Sequence, residues 1–190
     1  MRLLFSYLPN LFTAARLALV PWIAVLVLHG RFRAALVLTL IAGFTDAADG
    51  FLARYFGWTS RVGAWLDPLA DKALLVTLFI TLGWVGAMPW WLVALVFARD
   101  AVILAMVGAA FAFTSIRDFP PSVWGKLSTI VQVGACLGAL LLRSGPGLLF
   151  LVWATALTTA WSGIDYVRLG ILRWRRARRG AASRARITAR

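Results

Sequence analysis

Asp46-Ala47-Ala48-Asp49-Gly50-Phe51-Leu52-Ala53-Arg54, followed by Gly63 and then Asp67-Pro68-Leu69-Ala70-Asp71, is the stretch on which the architecture turns. It sets four of the chain's seven acidic residues, all aspartate, between two apolar runs, LTLIAGFT at 38–45 and ALLVTLFITLGW at 73–84. A carboxylate at membrane depth costs at least about 2.5–3.5 kcal/mol on insertion scales, so such residues are rare there without a function. Four together require something cationic. Asp46 and Asp49 stand at i and i+3, and Asp67 and Asp71 at i and i+4, so each pair shares one face of a helix. Two helices meeting at those faces make a pocket of four carboxylates. Oxygen donors with no His or Cys among them favour magnesium, manganese or calcium over zinc. Gly50 and Gly63 leave room for a ligand against the backbone, and Arg54 offers a fork for phosphate. Such a set suits chemistry on a pyrophosphate.

Outward from this stretch, the chain reads as membrane protein. It has 190 residues, 62% hydrophobic and 14% charged, where an ordinary soluble domain is nearer half apolar and about a quarter charged. Six apolar segments, at roughly 11–28, 34–54, 66–84, 90–113, 127–142 and 147–169, approach the ~20 residues that cross a bilayer. The expected fold is therefore all-α, an integral membrane bundle of six transmembrane helices over residues 1–172, with a basic tail at 173–190. Gly, Pro and Ser mark several of the breaks, including His29-Gly30-Arg31, 57–63 and 86–89. The tail carries eight arginines and no acid, which places it and both termini on the cytoplasmic side. Arg54, Arg61, Arg117 and Lys126 fall on that side too, with Arg31, Arg33 and Arg143 a minority outside. The aspartate cluster then opens to the cytoplasm. Anionic headgroups account for the tail's charge, so no nucleic-acid partner is expected. Cys136 reads as a small core residue and His29 as a surface residue in a polar turn. Trp84, Trp90, Trp91 and Trp174 read as interfacial anchors.

The spacing D-x2-D-G-x2-A-R-x8-G-x3-D-x3-D from Asp46 to Asp71 resembles, without a gap, the signature of the CDP-alcohol phosphatidyltransferases. The likeness runs from about Leu8 to Gly170. Leu8-Pro9-Asn10-Leu11 with Thr13, Arg16 and Pro21 resembles the family's first helix. Leu66-Asp67-Pro68-Leu69-Ala70-Asp71-Lys72 resembles the branch that makes cardiolipin or phosphatidylglycerol phosphate, as does Gly125-Lys126 with Thr129 and Gln132. The resemblance implies a bacterial-type inner-membrane enzyme of phospholipid synthesis, a homodimer, that moves a phosphatidyl group from CDP-diacylglycerol to a glycerol-phosphate-type acceptor and releases CMP. It implies two Mg2+ or Mn2+ ions held by Asp46, Asp49, Asp67 and, in part, Asp71, with Asp71 as the general base. It assigns Asp49, Gly50, Ala53, Arg54, Gly63 and Asp67 to the CDP moiety.

Arg99, Lys126 and Lys72 are candidates for the acceptor or lipid phosphate. Arg99 and Asp100, about 100° apart on a helix, are expected to serve different partners, and Asp165 is expected to balance an arginine such as Arg99. Relatives that use glycerol-3-phosphate tend to show Arg-Glu there and a further arginine a turn or two later. Here AVILAMVGAAFAFTSI follows Asp100, with no cation before Arg117. That pattern, with Pro121-Ser122, Thr158-Thr159-Ala160 and Tyr166, favours phosphatidylglycerol as acceptor, with glycerol-3-phosphate the alternative. A cation transporter or channel is the reading from another class. It gives no reason for Gly50 or for Ala53-Arg54.

Overall fold

The computed structural model describes the backbone of residues 8–56, 61–113 and 122–188, and the side chains of residues 14–45, 69–108 and 122–172. Six helices and no strand occur among them: α1 (Leu8–Leu28), α2 (Phe32–Phe56), α3 (Arg61–Trp84), α4 (Trp90–Phe113), α5 (Val123–Leu142) and α6 (Pro146–Thr188). Among the described residues, three stretches are long and apolar enough to cross a membrane, Trp90–Gly108, Val123–Leu142 and Pro146–Leu172. Large apolar side chains such as Phe44 and Phe150 stay more than 70% exposed, as lipid-facing residues should. This is a helical membrane protein.

Two helix ends show why the sequence breaks fall where they do. After α1, Gly30 adopts φ +71°, and the Arg31 N–H reaches back to the Leu26 carbonyl at 2.8 Å. After α3, Gly86 adopts φ +73°, and the Ala87 N–H reaches the Leu82 carbonyl at 2.9 Å. Both are Schellman closures, which need a left-handed residue that glycine supplies without strain. At the end of α5 a non-glycine does the same: Arg143 sits at φ 59°, with its guanidinium 4.9 Å from the Phe32 ring centroid. That cation–π contact offsets part of the ~1–2 kcal/mol a left-handed side chain costs. His29, exposed in the first turn, places its Nδ1 2.8 Å from the Val25 carbonyl.

The chain divides into two compact units. The first comprises Met1–Pro89 with Ala135–Leu149. In it α1 packs against α2 and α3. The buried face of α1 is Arg16, Val20, Ile23 and Val27, the four-three-four spacing of a single helical stripe. α2 buries Ala35, Thr39 and Ala42. Such small residues let helix backbones approach closely, which is how helices associate where lipid removes the hydrophobic drive. Cys136 is also fully buried, a core residue as expected.

The second unit comprises Trp90–Gly134 with Phe150–Arg190. Its α5 buries Gly125, Ser128 and Gln132, and α6 buries Val152, Thr155, Thr159 and Ser162. Across this seam the Gln132 Nε2 donates to Ser128 Oγ at 3.2 Å and to Thr159 Oγ1 at 3.1 Å. Ser128 and Thr159 hydroxyls lie 3.2 Å apart. Interhelical hydrogen bonds of this kind contribute about 0.6–2 kcal/mol in membranes. Gln132 thus belongs to the helix seam. The Trp91–Trp153, Arg99–Ser162 and Met106–Gly170 contacts advance together along both helices, so α4 and α6 run parallel. The Ser122–Tyr166 and Gln132–Thr159 contacts run oppositely, so α5 is antiparallel to α6.

α6 continues to Thr188, well past the end of the apolar segment. Its 43 residues make a helix of about 65 Å at 1.5 Å per residue. Arginine and alanine, which dominate after Leu172, are strong helix formers, so the backbone need not unwind where the apolar residues stop.

Candidate functional site

α1 carries an arginine on its buried stripe. Arg16, 2% exposed, holds the Asp71 Oδ1 through Nη1 at 2.5 Å. The Asp71 side chain on α3 is 54% exposed. One partner is sunk in the protein and the other is open, so Arg16 acts as a fixed anchor and Asp71 as the accessible group. An arginine fork holds a carboxylate in a set orientation better than a lysine point charge does. The sequence signal for this partner was a single cation within an apolar segment, seven residues before Ile23 and hence in phase with the buried face. Lys72, next to Asp71, is exposed.

Asp46, Asp49, Gly50, Ala53, Arg54, Gly63 and Asp67 have helical backbones, but their side chains lie outside the described residues. Their positions still carry information. α2 is continuous through 46–54, and α3 is continuous from Arg61 through Asp71. Asp46 and Asp49 are therefore one turn apart on α2, and Asp67 and Asp71 one turn apart on α3. Gly63 stands inside α3 rather than in the turn before it.

A second constellation lies within the other unit. Arg99 on α4 donates from Nη1 to Asp100 Oδ1 at 2.9 Å, and from Nη2 and Nε to Ser162 Oγ at 2.8 and 3.3 Å. Its Cζ stands 5.6 Å from the centroid of the Tyr166 ring. The tyrosine hydroxyl in turn accepts the Ser122 N–H at 3.2 Å, while Ser122 Oγ accepts the Gly125 N–H at 3.0 Å, capping α5. This corrects the expectation that Arg99 and Asp100 serve different partners. Adjacent Cβ atoms do diverge, but the long arginine stem bends round the helix surface and brings the guanidinium back to its neighbour's carboxylate. Both side chains are about 11% exposed, so neither charge is left uncompensated at depth. Asp165 is not among Arg99's partners either; Asp100 and Ser162 fill that role. Lys126 is exposed and makes no side-chain hydrogen bond or ion pair among the described residues. From sequence, Ser122 and Tyr166 entered only as part of the pattern favouring phosphatidylglycerol and Ser162 had no role assigned, though a serine three residues before Gly125 is the pattern of an N-cap.

Gly125 is required by the close approach. A Cβ there would stand 3.0 Å from both Cε2 and Oη of Tyr166, and 3.3 Å from Arg99 Nη2. Overpacking typically costs about 1–3 kcal/mol, more than the ~1 kcal/mol that alanine gains over glycine in a helix. Gly125→Ala should therefore lower the unfolding temperature in detergent. With Tyr166→Ala already present, the same change should raise it. A thermal-shift double-mutant cycle checks the reversal of sign.

Beside this cluster, α4 and α6 enclose a groove of about 650 Å3. Its walls include Leu95, Val102, Ile164 and Val167, with Arg99 and Arg168 its charged members.

Comparison with known proteins shows the family of the chain. The family described as CDP-alcohol phosphatidyltransferase matches residues 6–161. A probable cardiolipin synthase (CMP-forming) of Drosophila melanogaster is 33% identical over 184 residues, covering 84% of this chain and 56% of the fly protein. This chain thus spans little more than half of that relative. A probable phosphatidylglycerophosphate synthase of Mycobacterium tuberculosis (strain CDC 1551 / Oshkosh) is 34% identical over 170 residues, covering 84% of this chain and 79% of its own length. A cardiolipin synthase (CMP-forming) of Streptomyces coelicolor is 32% identical over 179 residues, covering 84% and 80%. Relatives named for two different products stand at nearly equal identity, so overall similarity does not choose between them.

Proposed function

The chain belongs to the CDP-alcohol phosphatidyltransferase family, and we propose that it transfers the phosphatidyl group of CDP-diacylglycerol to an alcohol and releases CMP. The observation that carries this reading is the complete aspartate signature on α2 and α3, with its last member open and anchored by Arg16. The acceptor hydroxyl attacks the β-phosphorus, which bears the diacylglycerol. A new P–O bond forms, the bond from that phosphorus to the oxygen bridging to CMP breaks, and the hydroxyl proton passes to Asp71. Arg16 fixes the direction from which Asp71 receives it. Gly50, Ala53, Arg54 and Gly63, with Asp49 and Asp67, form the site for cytidine and diphosphate.

Divalent metal fits this donor set. Four carboxylates one turn apart in pairs, with no nitrogen or sulfur donor in the signature, suit Mg2+ or Mn2+. Asp46, Asp49, Asp67 and part of Asp71 would hold two ions, which supply charge compensation for the leaving CMP. The remaining architecture is part of the same proposal: six spans over residues 1–172, and a basic tail at 173–190. It also includes cytoplasmic termini and active site, a bacterial-type inner membrane, and a homodimer. Parallel α4 and α6 flanking an antiparallel α5 support the alternation of spans.

For the acceptor, phosphatidylglycerol is the reading favoured by Arg99. No other cation stands on α4, and the Arg99 charge is already met by Asp100. Glycerol-3-phosphate carries a dianionic phosphate and calls for more positive charge than that. Both acceptors presented together to the purified protein with CDP-diacylglycerol should yield mainly cardiolipin, resolved by mass. Predominant phosphatidylglycerol phosphate would reverse the acceptor and leave the transferase intact. Cation flux without CMP release would overturn the transferase.

A further inference from the structure

We propose that the groove between α4 and α6 is the berth of the acceptor lipid, a monoanionic phosphodiester phospholipid of the phosphatidylglycerol type, with Arg168 receiving its phosphate. The inference builds on the transferase reading and adds a place and a residue to it. Its volume of about 650 Å3 lies within the ~300–1,000 Å3 of ordinary ligand pockets. From Thr159 to Leu172 it follows α6 for fourteen residues, about 20 Å of helix, long enough for a headgroup and the upper part of two acyl chains. Small residues make the depth: Ala160 and Gly163 line it, and a Cβ added at Gly163 would come 3.7 Å from Arg99 Cγ.

The charge is what selects the occupant. No acidic residue lines the groove. Arg99 is balanced by Asp100, yet only three of its five N–H donors are used, two by Ser162 and one by Asp100. Arg168 has no hydrogen-bond or ion-pair partner among the described residues, although Asp165 stands one turn before it. The groove is therefore lined by one arginine without a described ion pair and by a second whose charge is already met, within apolar walls. A phosphodiester brings one negative charge and acceptor oxygens, and its acyl chains match the aliphatic lining. A dianion would leave a charge unmet, and a zwitterionic lipid would set its own cation against the arginine. Arg168 lies six residues after Ser162, about 9 Å along the axis, near the end of the Pro146–Leu172 span. From there its stem can extend towards the interface, where a lipid phosphate resides.

Phosphatidylglycerol bearing a photoreactive acyl chain, presented to the full chain in phosphatidylcholine nanodiscs, tests the site. Label should map to α4 near Val102 and to α6 between Ile164 and Ile171, and unlabelled phosphatidylglycerol should compete it away. Arg168→Gln should cut labelling and raise the apparent KM for phosphatidylglycerol about tenfold, the loss of a charged hydrogen bond. The KM for CDP-diacylglycerol should stay unchanged, and Arg168→Lys should retain most of both. Ala160→Leu should reduce labelling by filling the groove without touching charge. Labelling indifferent to Arg168→Gln, competed equally by phosphatidylcholine, or competed best by CDP-diacylglycerol would overturn the proposal. Transfer to phosphatidylglycerol with label elsewhere would sink this site and spare the transferase reading. Specific label in a protein that releases no CMP with any acceptor would do the reverse.

Discussion

Asp71→Asn should lower CMP release by about a thousandfold while CDP-diacylglycerol still binds within a few-fold of the wild-type affinity. The magnitude is that of a lost general base, typically about 10²–10⁴. Asparagine is the informative replacement because it preserves the local structure. Its side-chain oxygen can still accept from Arg16 Nη1, the bond that holds Asp71 at 2.5 Å, and its volume is nearly the same. With the side chain 54% exposed, no cavity opens and no buried charge is stranded on the Asp71 side. What the amide cannot do is take the acceptor's proton. Labelled CMP release measured beside CDP-diacylglycerol binding separates the two effects. Turnover near wild type would remove Asp71 from the base role, and loss of binding together with turnover would recast it as chiefly a ligand-holding residue.

The same pair illustrates what could be read from the chain alone and what could not. Asp71 stands out because a carboxylate in an apolar stretch is expensive and its spacing is periodic; both properties are local. Arg16 lies fifty-five positions away, and nothing local says which carboxylate it meets. Only packing of α1 against α3 decides that. Helix ends were legible where short-range chemistry sets them, as at Gly30 and Gly86, whose positive φ closes α1 and α3. The end of α6 was not legible, because the apolar pattern reports immersion in lipid while helicity after Leu172 depends on arginine and alanine propensity. The Arg99–Asp100 pair failed for a third reason: angular spacing describes Cβ directions, and a four-rotor side chain reaches well beyond them. Tyr166 was legible only as part of an acceptor pattern, and its contacts were not, because they depend on tertiary distances to Ser122, Gly125 and Arg99 at once.

Chelation with EDTA should abolish CMP release, with Mg2+ or Mn2+ restoring it. The expectation follows from charge. The signature places four carboxylates on two helices, and the Asp71 carboxylate has a described cationic contact in Arg16. Arg16 carries one positive charge, against four negative ones in the signature. A CDP moiety brings further negative charge to the same place, so binding it there without divalent cations would set like charges together at several kcal/mol even at an effective dielectric constant of about 20. Asp49→Asn should respond differently from Asp71→Asn. Removing one hard donor should raise the metal concentration needed for half-maximal activity about tenfold, and weaken CDP binding at fixed low metal. The proton acceptor is untouched in that variant, so saturating metal should restore most of the turnover. The measurements are activity against free metal concentration and CDP binding at two metal concentrations. Full turnover in excess chelator would eliminate the metal-dependent route, and an Asp49→Asn variant that no metal concentration rescues would give that carboxylate a part in the chemistry itself.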